Sequence, residues 1–200
     1  MSALEELNEE IARCNLCPIA KNRNRAVPGE GAEDAEILFI GEAPGFYEDQ
    51  QGRPFVGPAG QYLDYLLTLI GLDRSQVYIT NIIKTRPPGN RDPLPTEIQN
   101  CSQWLDRQIQ IIKPKLIVTL GRYSMARFFP GKTISKIHGT TGTWQGITCF
   151  AMYHPAAALR QQSLRRVIEE DMRKIPQVLA SLTRPARPEA APRQLNLFEG

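Results

Sequence analysis

Three short apolar segments constrain the fold of this 200-residue chain more than any other feature. They are EILFIG (36–41), VYITN (77–81) and KLIVTLG (115–121), and each ends at a Gly or an Asn. Apolar runs of this length are typical of strands that are buried on both faces of a parallel sheet. Segments with helical spacing separate the runs, and this alternation predicts an α/β fold with helices on both faces of the sheet.

The remaining elements are predicted from the spacing of apolar residues. Helical spacing is found in five segments, namely 3–13, 62–70 with an end at Gly71, about 95–112, a short stretch through Met125 and Phe128, and 164–179. Two segments of β character, 133–137 and 141–153, lie before the last of these helices. We expect one folded domain over residues 1–182, followed by a disordered linker and tail over 183–200 that is rich in Pro, Arg and Ala.

Composition and charge exclude several classes of protein. Apolar residues make up 42% of the chain, and no apolar run is long enough to cross a bilayer. The first thirteen residues are acidic and lack the apolar core of a signal peptide, so we expect a cytoplasmic protein with reduced thiols and no membrane partner. The net charge of +3 permits a polyanionic partner without requiring one.

Polar side chains follow the predicted strands at the point where each strand ends. Gly121 and Arg122 lie at the end of the third run. Glu42 follows the first run, Asn81 ends the second, and His154 follows the last β segment. Each residue alone has an ordinary interpretation, as a solvated loop acid, a turn residue and a core histidine. Ligands of parallel sheets bind outside the carboxyl ends of the strands, so three such residues at equivalent ends indicate a binding site.

Four ordered motifs carry a resemblance to a known family. They are GEAPGFYEDQQGRPFVGPAG (41–60), YITNIIKTRPPGNRDPLP (78–95), LGRYSMARFF (120–129) and MYHPAAALR (152–160). In this order they resemble the motifs of the family 4 uracil-DNA glycosylases, from about Cys14 to Leu182. The resemblance implies a three-layer αβα sandwich around a central four-stranded, mostly parallel sheet. It also implies a monomeric enzyme that releases uracil from single- or double-stranded DNA in base excision repair, close to the nucleoid.

The resemblance assigns roles to the residues at the strand ends. Asn81 would read uracil by accepting from N3–H and donating to O4, the reverse of what cytosine requires. His154 would donate to uracil O2 as negative charge builds there, and Glu42 would orient the attacking water. Phe55 resembles the aromatic residue that stacks on the base, although a core Phe is an equally good interpretation of its local sequence.

Further residues in the same motifs are expected to contact the base or the DNA. Ala43, Gly45, Glu48 and Asn90 are expected to line the pocket, and Tyr47 or Glu48 to exclude the methyl group of thymine. Leu159 is expected to wedge into the vacated base stack, and Arg160 to clamp a phosphate.

The cysteines suggest a metal centre with an incomplete ligand set. Cys14 and Cys17 form a CxxC pair that precedes the first strand, where metal ligation is a better interpretation than redox chemistry. The resemblance implies a structural [4Fe–4S] cluster held by Cys14, Cys17 and Cys101, with Thr85 at the position of the family's fourth cysteine. Cys149 could supply the missing ligand, but its apolar neighbours favour a buried structural thiol. Zinc ligation and, for Cys101, core packing remain open.

The tail contains QLNLF (194–198), which resembles the pentapeptide that docks bacterial repair proteins on the DNA sliding clamp. Its groove-filling residues would be Gln194, Leu195, Leu197 and Phe198. A chain end without function is the other interpretation.

Two other classes of function remain to be separated from a glycosylase. One is a uracil-DNA binding protein without turnover, of which a related group bonds covalently through a histidine in an insertion after the second strand; the loop 85–93 has neither. The other is a doubly wound nucleotide-binding or redox protein, for which no Gly-rich phosphate motif is present.

Overall fold

The computed structural model describes residues 1–183, and these residues form an α/β domain around one six-stranded sheet. The strands lie in the order β1-β3-β2-β4-β6-β5. Neighbouring strands among β3, β2, β4 and β6 are parallel, whereas β1 and β5 pair antiparallel at the two edges. The sheet therefore has two more strands than the four expected. The strands are β1 Glu30–Gly31, β2 Ile37–Gly41, β3 Tyr78–Asn81, β4 Leu116–Leu120, β5 Thr141–Trp144 and β6 Ile147–Met152.

Helices cover both faces of the sheet, as the alternation of strands and helices predicts. They are α1 Ala3–Arg13, α2 Phe46–Gln51, α3 Pro58–Thr68, α4 Pro95–Ile112, α5 Arg122–Phe128, α6 Ile134–Ile137, α7 Pro155–Arg160, α8 Ser163–Met172 and α9 Ile175–Thr183.

The strand β2 shows why the three layers form. Every residue of β2 is buried, and its side chains alternate between the two faces of the sheet. Leu38 and Ile40 pack in the core that contains α1, α4 and α5. Ile37 and Phe39 pack in the core that contains α3, α8 and the start of α9. The uninterrupted apolar run thus supplies both cores, which confirms the αβα sandwich.

The expected β segment at 133–137 is wrong, because this stretch forms the single-turn helix α6. Its β-branched residues favoured a strand, but the backbone N–H of His138 donates to Ile134 O at 2.9 Å. Gly131 and Gly139 have positive φ and turn the chain on either side of the helix. β5 already covers the edge of the sheet beside β6, so no edge position is left there for 133–137.

Two further predictions needed refinement. The segment 141–153 is a hairpin of β5 and β6, and its tight turn places Gln145 and Gly146 at positive φ. The single final helix is divided into α8 and α9 because Pro176 has no N–H with which to continue the helix.

Within residues 1–183, no helix combines the length and the apolar character needed to span a membrane. The QLNLF segment and nearly all of the expected linker lie outside the described residues, so the division at 182 stays a prediction.

Candidate active site

The parallel register brings the residues that follow three strands to one edge of the sheet. Gly41 at the end of β2 is paired with Asn81 of β3, and Leu120 of β4 is paired with Met152 of β6. A cavity of about 520 Å³ opens at this edge, and Glu42, Asn81 and His154 all line it. The volume lies in the range of small-molecule sites. The convergence that the strand ends predict is therefore present.

Most of the other expected pocket residues line the same cavity. This group comprises Ala43, Gly45, Glu48, Phe55, Asn90 and Arg160. Leu159 is on the outer side of α7 and is 54% exposed, as a residue that contacts DNA rather than the base would be. Tyr47 is also exposed. A Cβ atom on Gly57 would lie 3.1 Å from Tyr47 Cδ2, so the ring packs closely on Gly57.

Asn81 presents an unpaired acceptor at the bottom of the cavity. Its side chain is almost fully buried, and its Oδ1 accepts no hydrogen bond from residues 1–183. Buried polar atoms are nearly always paired, so this atom is available for a donor on a ligand. A Cβ on Gly41 would lie 2.4 Å from Oδ1 and 2.5 Å from Phe55 Cζ. Gly41 therefore leaves room for the amide and the ring side by side.

Phe55 is held in a backbone conformation that few side chains adopt. Its φ is 51°, and its carbonyl accepts from Arg74 Nη1 at 3.0 Å. Asp64 anchors the same guanidinium at 3.0 Å, and Gly60 lies so close that a Cβ there would be 1.8 Å from Phe55 O. The Phe55 ring is stacked near His154, with centroids 5.5 Å apart. These contacts place the ring against the cavity.

The Glu48 carboxylate shapes the loop that carries Phe55. Oε1 accepts from the backbone N–H groups of Val56 and Gly57, both at 2.8 Å. Oε2 accepts from the Gly45 N–H at 3.0 Å. One carboxylate thus joins the start of α2 to the start of α3. The side chain lines the cavity, but its oxygens are used by the backbone.

His154 is held in one tautomer by the backbone of α7. The Ala156 N–H donates to His154 Nδ1 at 3.1 Å, so a neutral imidazole carries its proton on Nε2. The pKa of His154 is lowered to about 4, chiefly by burial and also by the positive charge of Arg160. The ring is therefore neutral at pH 7 and is able to donate from Nε2.

The pKa of Glu42 moves in the opposite direction. The net result is a pKa raised to about 7, chiefly by burial and also by the negative charge of Asp92. The guanidinium groups of Arg122 and Arg160 oppose this rise. A carboxyl group with a pKa near neutral is suited to act as a general base.

Further residues line the cavity wall, and among them the strand-end rule indicates only Gly121 and Arg122. The further residues are Pro44, Ala59, Pro87, Arg91, Asp92, Gly121, Arg122, Ile134, Tyr153, Ala156 and Ala157. Asp92 and Arg122 form an ion pair at 2.6 Å that joins the loop after β3 to α5. Gly121 and Arg122 directly follow the end of β4, which is why the sequence places them at this rim. No local signal marks Asp92.

Three of the four cysteines lie together, on the side of α1 and α4. The pKa of the Cys17 thiol is raised to about 12, chiefly by burial and also by the nearby thiols of Cys101 and Cys14. Trp104 Nε1 donates to Cys14 Sγ at 3.3 Å, and Cys101 accepts from the Lys84 backbone N–H. Hydrogen bonds to sulfur are common around iron–sulfur clusters. Cys149 is fully buried in β6, and it is not among the groups that shift the pKa of Cys17 or Cys101.

The fourth ligand position does not fit a metal. The Thr85 hydroxyl accepts from Arg23 Nη1 at 3.1 Å, so a cation occupies the place next to it. In the described part of the chain, no three or more His, Cys, Asp or Glu side chains have the arrangement of a metal site. Within residues 1–183, three thiols are thus grouped without forming a metal site by themselves, and the expected fourth position holds a threonine.

Comparison with known proteins identifies the family. The profile of the Uracil DNA glycosylase superfamily matches residues 28–176. The chain belongs to this superfamily. It is 49% identical over 185 residues to a Type-4 uracil-DNA glycosylase of Sulfurisphaera tokodaii, covering 88% of this chain and 84% of the relative. It is 47% identical over 191 residues to that of Saccharolobus solfataricus (90% and 88%), and 43% identical over 176 residues to that of Thermotoga maritima (86% and 92%). This uracil-DNA glycosylase homologue thus resembles Type-4 members along nearly its whole length.

The Glu48 contacts predict a stability change in Glu48→Gln. An amide has only one acceptor oxygen, so at least one of the three backbone donors loses its partner. We expect the free energy of unfolding in urea to fall by about 1 to 3 kcal/mol. Glu9→Gln breaks an exposed helical ion pair with Arg13 and should change it by less than about 1 kcal/mol. Equal effects of the two substitutions would contradict the role given to Glu48.

Proposed function

We propose that this chain is a hydrolase that removes uracil from DNA and leaves an abasic site, as part of base excision repair. The observation that carries the proposal is the unpaired, buried Oδ1 of Asn81 in one cavity with a neutral His154 and with Glu42. A single pyrimidine extruded from the duplex offers the hydrogen-bond donor that this oxygen lacks.

Recognition of uracil follows from the two ends of the Asn81 amide. Oδ1 accepts from uracil N3–H, and the amide N–H donates to O4. Cytosine has an acceptor at N3 and a donor at position 4, so both contacts would become repulsive. Phe55 supplies a ring on which the base stacks, and its fixed backbone limits how far the base can move. The residue that excludes thymine, Tyr47 or Glu48, stays a prediction.

His154 stabilises the leaving group. Breaking the glycosidic bond leaves negative charge on uracil, which is shared with O2. The Nε2–H of the neutral imidazole donates a hydrogen bond to that oxygen, and this hydrogen bond strengthens as the negative charge develops. By analogy with other oxyanion sites, its removal costs about 3 to 4 kcal/mol of transition-state stabilisation.

Glu42 acts on the other side of the reaction. As a carboxylate it faces the cationic sugar and accepts a proton from the attacking water, which then adds to the anomeric carbon. Its proximity to Arg122 and Arg160 keeps part of the population ionised at neutral pH.

The rim of the cavity carries the groups expected to hold DNA. Arg91, Arg122 and Arg160 line it, and Leu159, which precedes Arg160 in α7, is exposed. Arginines contact phosphates, and an exposed apolar side chain fills the gap left by an extruded base. The surface thus suits a single strand or an opened duplex. Activity on DNA would place the protein at the nucleoid, and we expect a monomer.

A covalent or non-turnover uracil-DNA binder is the second candidate. The chain has two histidines, His138 and His154. His138 Nδ1 is 2.7 Å from Asp171 Oδ2, and its ring packs on Tyr153 rather than lying in the loop after β3. No observation favours this candidate over turnover.

Release of free uracil from an oligonucleotide that contains one uracil tests the proposal. We expect multiple turnovers by the wild-type chain, and a loss of about 100-fold or more in rate for His154→Ala. His138→Ala serves as the matched control and should retain activity. A stable, slow-migrating protein–DNA adduct would favour the binder, and the absence of any uracil release would reject the glycosylase.

The pKa of Glu42 predicts how activity depends on pH. A general base must be ionised, so activity should rise as the pH increases through about 7. His154 contributes no step in this range because its pKa is about 4. Single-turnover rates between pH 5.5 and 8.5 give the profile, with Glu42→Gln as the comparison. The rise should disappear in Glu42→Gln together with most of the activity. A rise that persists in the variant would assign the titration to another group.

We also propose that Cys14, Cys17 and Cys101 hold a structural [4Fe–4S] cluster with one position that no cysteine fills. The support is the grouping of the three thiols and the N–H donors around them. Such a cluster would cross-link the end of α1 to α4, and hydrolysis of a glycosidic bond requires no electrons from it. Zinc on the same thiols remains the alternative.

The incomplete ligand set predicts a change in Thr85→Cys. The fourth thiolate should increase the iron and sulfide bound per chain and make the visible absorbance more resistant to a chelator. Cys149→Ala is the control and should leave the iron content unchanged. If the wild-type chain purifies with zinc, the cluster proposal is wrong. It is also wrong if the wild-type chain purifies without metal and its melting temperature does not change when iron and sulfide are supplied.

The sliding clamp stays a proposed partner of the tail. The support is the QLNLF motif alone, which lies beyond residue 183. Docking through this motif would raise the local concentration of the domain near DNA.

A further inference from the structure

Lys84 is a buried lysine with no acidic partner among residues 1–183. The residue is 2% exposed, and its amine lies between β3 and α4. Its ammonium donates to Thr80 Oγ1 at 2.6 Å, Asn81 O at 2.8 Å and Gln108 Oε1 at 2.7 Å. Each of its three protons therefore has an acceptor. Burial lowers the pKa of Lys84 to about 7, and the hydrogen bonds to three acceptors offset the cost of removing the amine from water.

The hydrogen bond from Lys84 to the Asn81 carbonyl replaces one that the sheet does not supply. In the parallel pair of β2 and β3, the N–H of Ile82 donates to Gly41 O. Backbone groups alternate in direction along a strand, so the Asn81 carbonyl points to the other side of β3. β1 lies on that side but pairs only with Tyr78 and Ile79. The sheet thus ends before Asn81, and Lys84 donates the hydrogen bond that a longer β1 would have supplied.

The other two acceptors fix the position of the ammonium. Gln108 Nε2 donates to Pro28 O at 2.9 Å, which orients the amide so that its oxygen faces Lys84. The Thr80 hydroxyl donates to the same Pro28 carbonyl at 2.7 Å, which leaves its oxygen free to accept. Lys84 therefore joins α4 and the segment before β1 to the backbone of the residue that reads the base.

We propose that Lys84 is a positioning residue for uracil recognition, which holds the main chain of Asn81 so that its side-chain amide faces the base. The inference rests on the proposed function, and the wild-type activity assay tests that function separately. The amide has no hydrogen bond to Oδ1 within the described residues, so its direction depends on the backbone that carries it. Lys84 makes no contact with the base itself.

A double-mutant cycle between Lys84→Met and Asn81→Ala tests the proposal. Methionine keeps the length of the side chain and removes all three donors. We expect Lys84→Met to slow single-turnover uracil release by about tenfold or more, and to weaken inhibition by free uracil by a similar factor. In the Asn81→Ala background, the same substitution should have almost no further effect on the rate, because the group through which Lys84 acts is gone.

Three measurements separate positioning from a general effect on folding. The melting temperature and the metal content of Lys84→Met are compared with the wild type, since the Lys84 backbone N–H that donates to Cys101 is retained. Lys115→Met, which removes an exposed lysine paired with Glu36, is the matched control and should change neither rate nor inhibition. Equal rate losses in both backgrounds, or a loss of stability with unchanged inhibition by uracil, would overturn the proposal.

Thr80→Val covers the case in which Lys84→Met fails to fold. The substitution conserves shape in β3 and removes one of the three acceptors of the ammonium. Inhibition by free uracil should weaken by a smaller factor than in Lys84→Met, with the fold retained. Unchanged inhibition in a folded Thr80→Val would also count against Lys84 as the positioning residue.

Discussion

The parallel hydrogen-bond register of β3, β2, β4 and β6 determines where the chemistry occurs. Parallel strands all end at the same edge, so the residues that follow them share one space. Gly41 opposite Asn81 and Leu120 opposite Met152 set this edge to within one residue. Backbone bonds, rather than contacts among the functional side chains, thus deliver Glu42, Asn81 and His154 to the cavity. That is why Asn81 Oδ1 is left without a partner and free for a substrate.

Burial at this edge acts on two titratable groups in opposite directions. It favours the neutral form of each, which raises the pKa of Glu42 and lowers that of His154. Arg160 then adds a positive charge that lowers both. For His154 the lower pKa increases the population of the neutral ring, and for Glu42 it increases the population of the ionised carboxylate. A single guanidinium at the mouth therefore favours the protonation state that each residue needs, and a phosphate bound to it would weaken both effects.

The strand-end residues could be predicted from sequence because their placement depends on a local pattern, an apolar run followed by a polar residue. Phe55 could not be separated from a core phenylalanine, since its place depends on a positive φ held by Arg74 from a distant loop. Glu48 was expected in the pocket, but its three backbone bonds depend on how two helices begin beside each other. The helix α6 was missed because its β-branched residues favour a strand wherever a sheet edge is available, and here β5 occupies that edge.

The loop after β3 connects the cysteine region to the cavity through few residues. Ile82 and Ile83 donate to Gly41 O and Glu42 O and so extend the β2–β3 pairing into the active site. Lys84 follows with its bond to Asn81 O, and Thr85 accepts from Arg23, which also donates to Ala12 O at the end of α1. Arg23 thus ties the loop to the N-terminal helix at the position where the resembled family has a thiolate. A charged hydrogen bond between side chains is weaker than a metal–sulfur bond, but it spans the same two segments. The loop is therefore attached to α1 without a fourth sulfur. Because Lys84 neighbours Thr85 and donates to Asn81 O, this attachment also supports the position of Asn81.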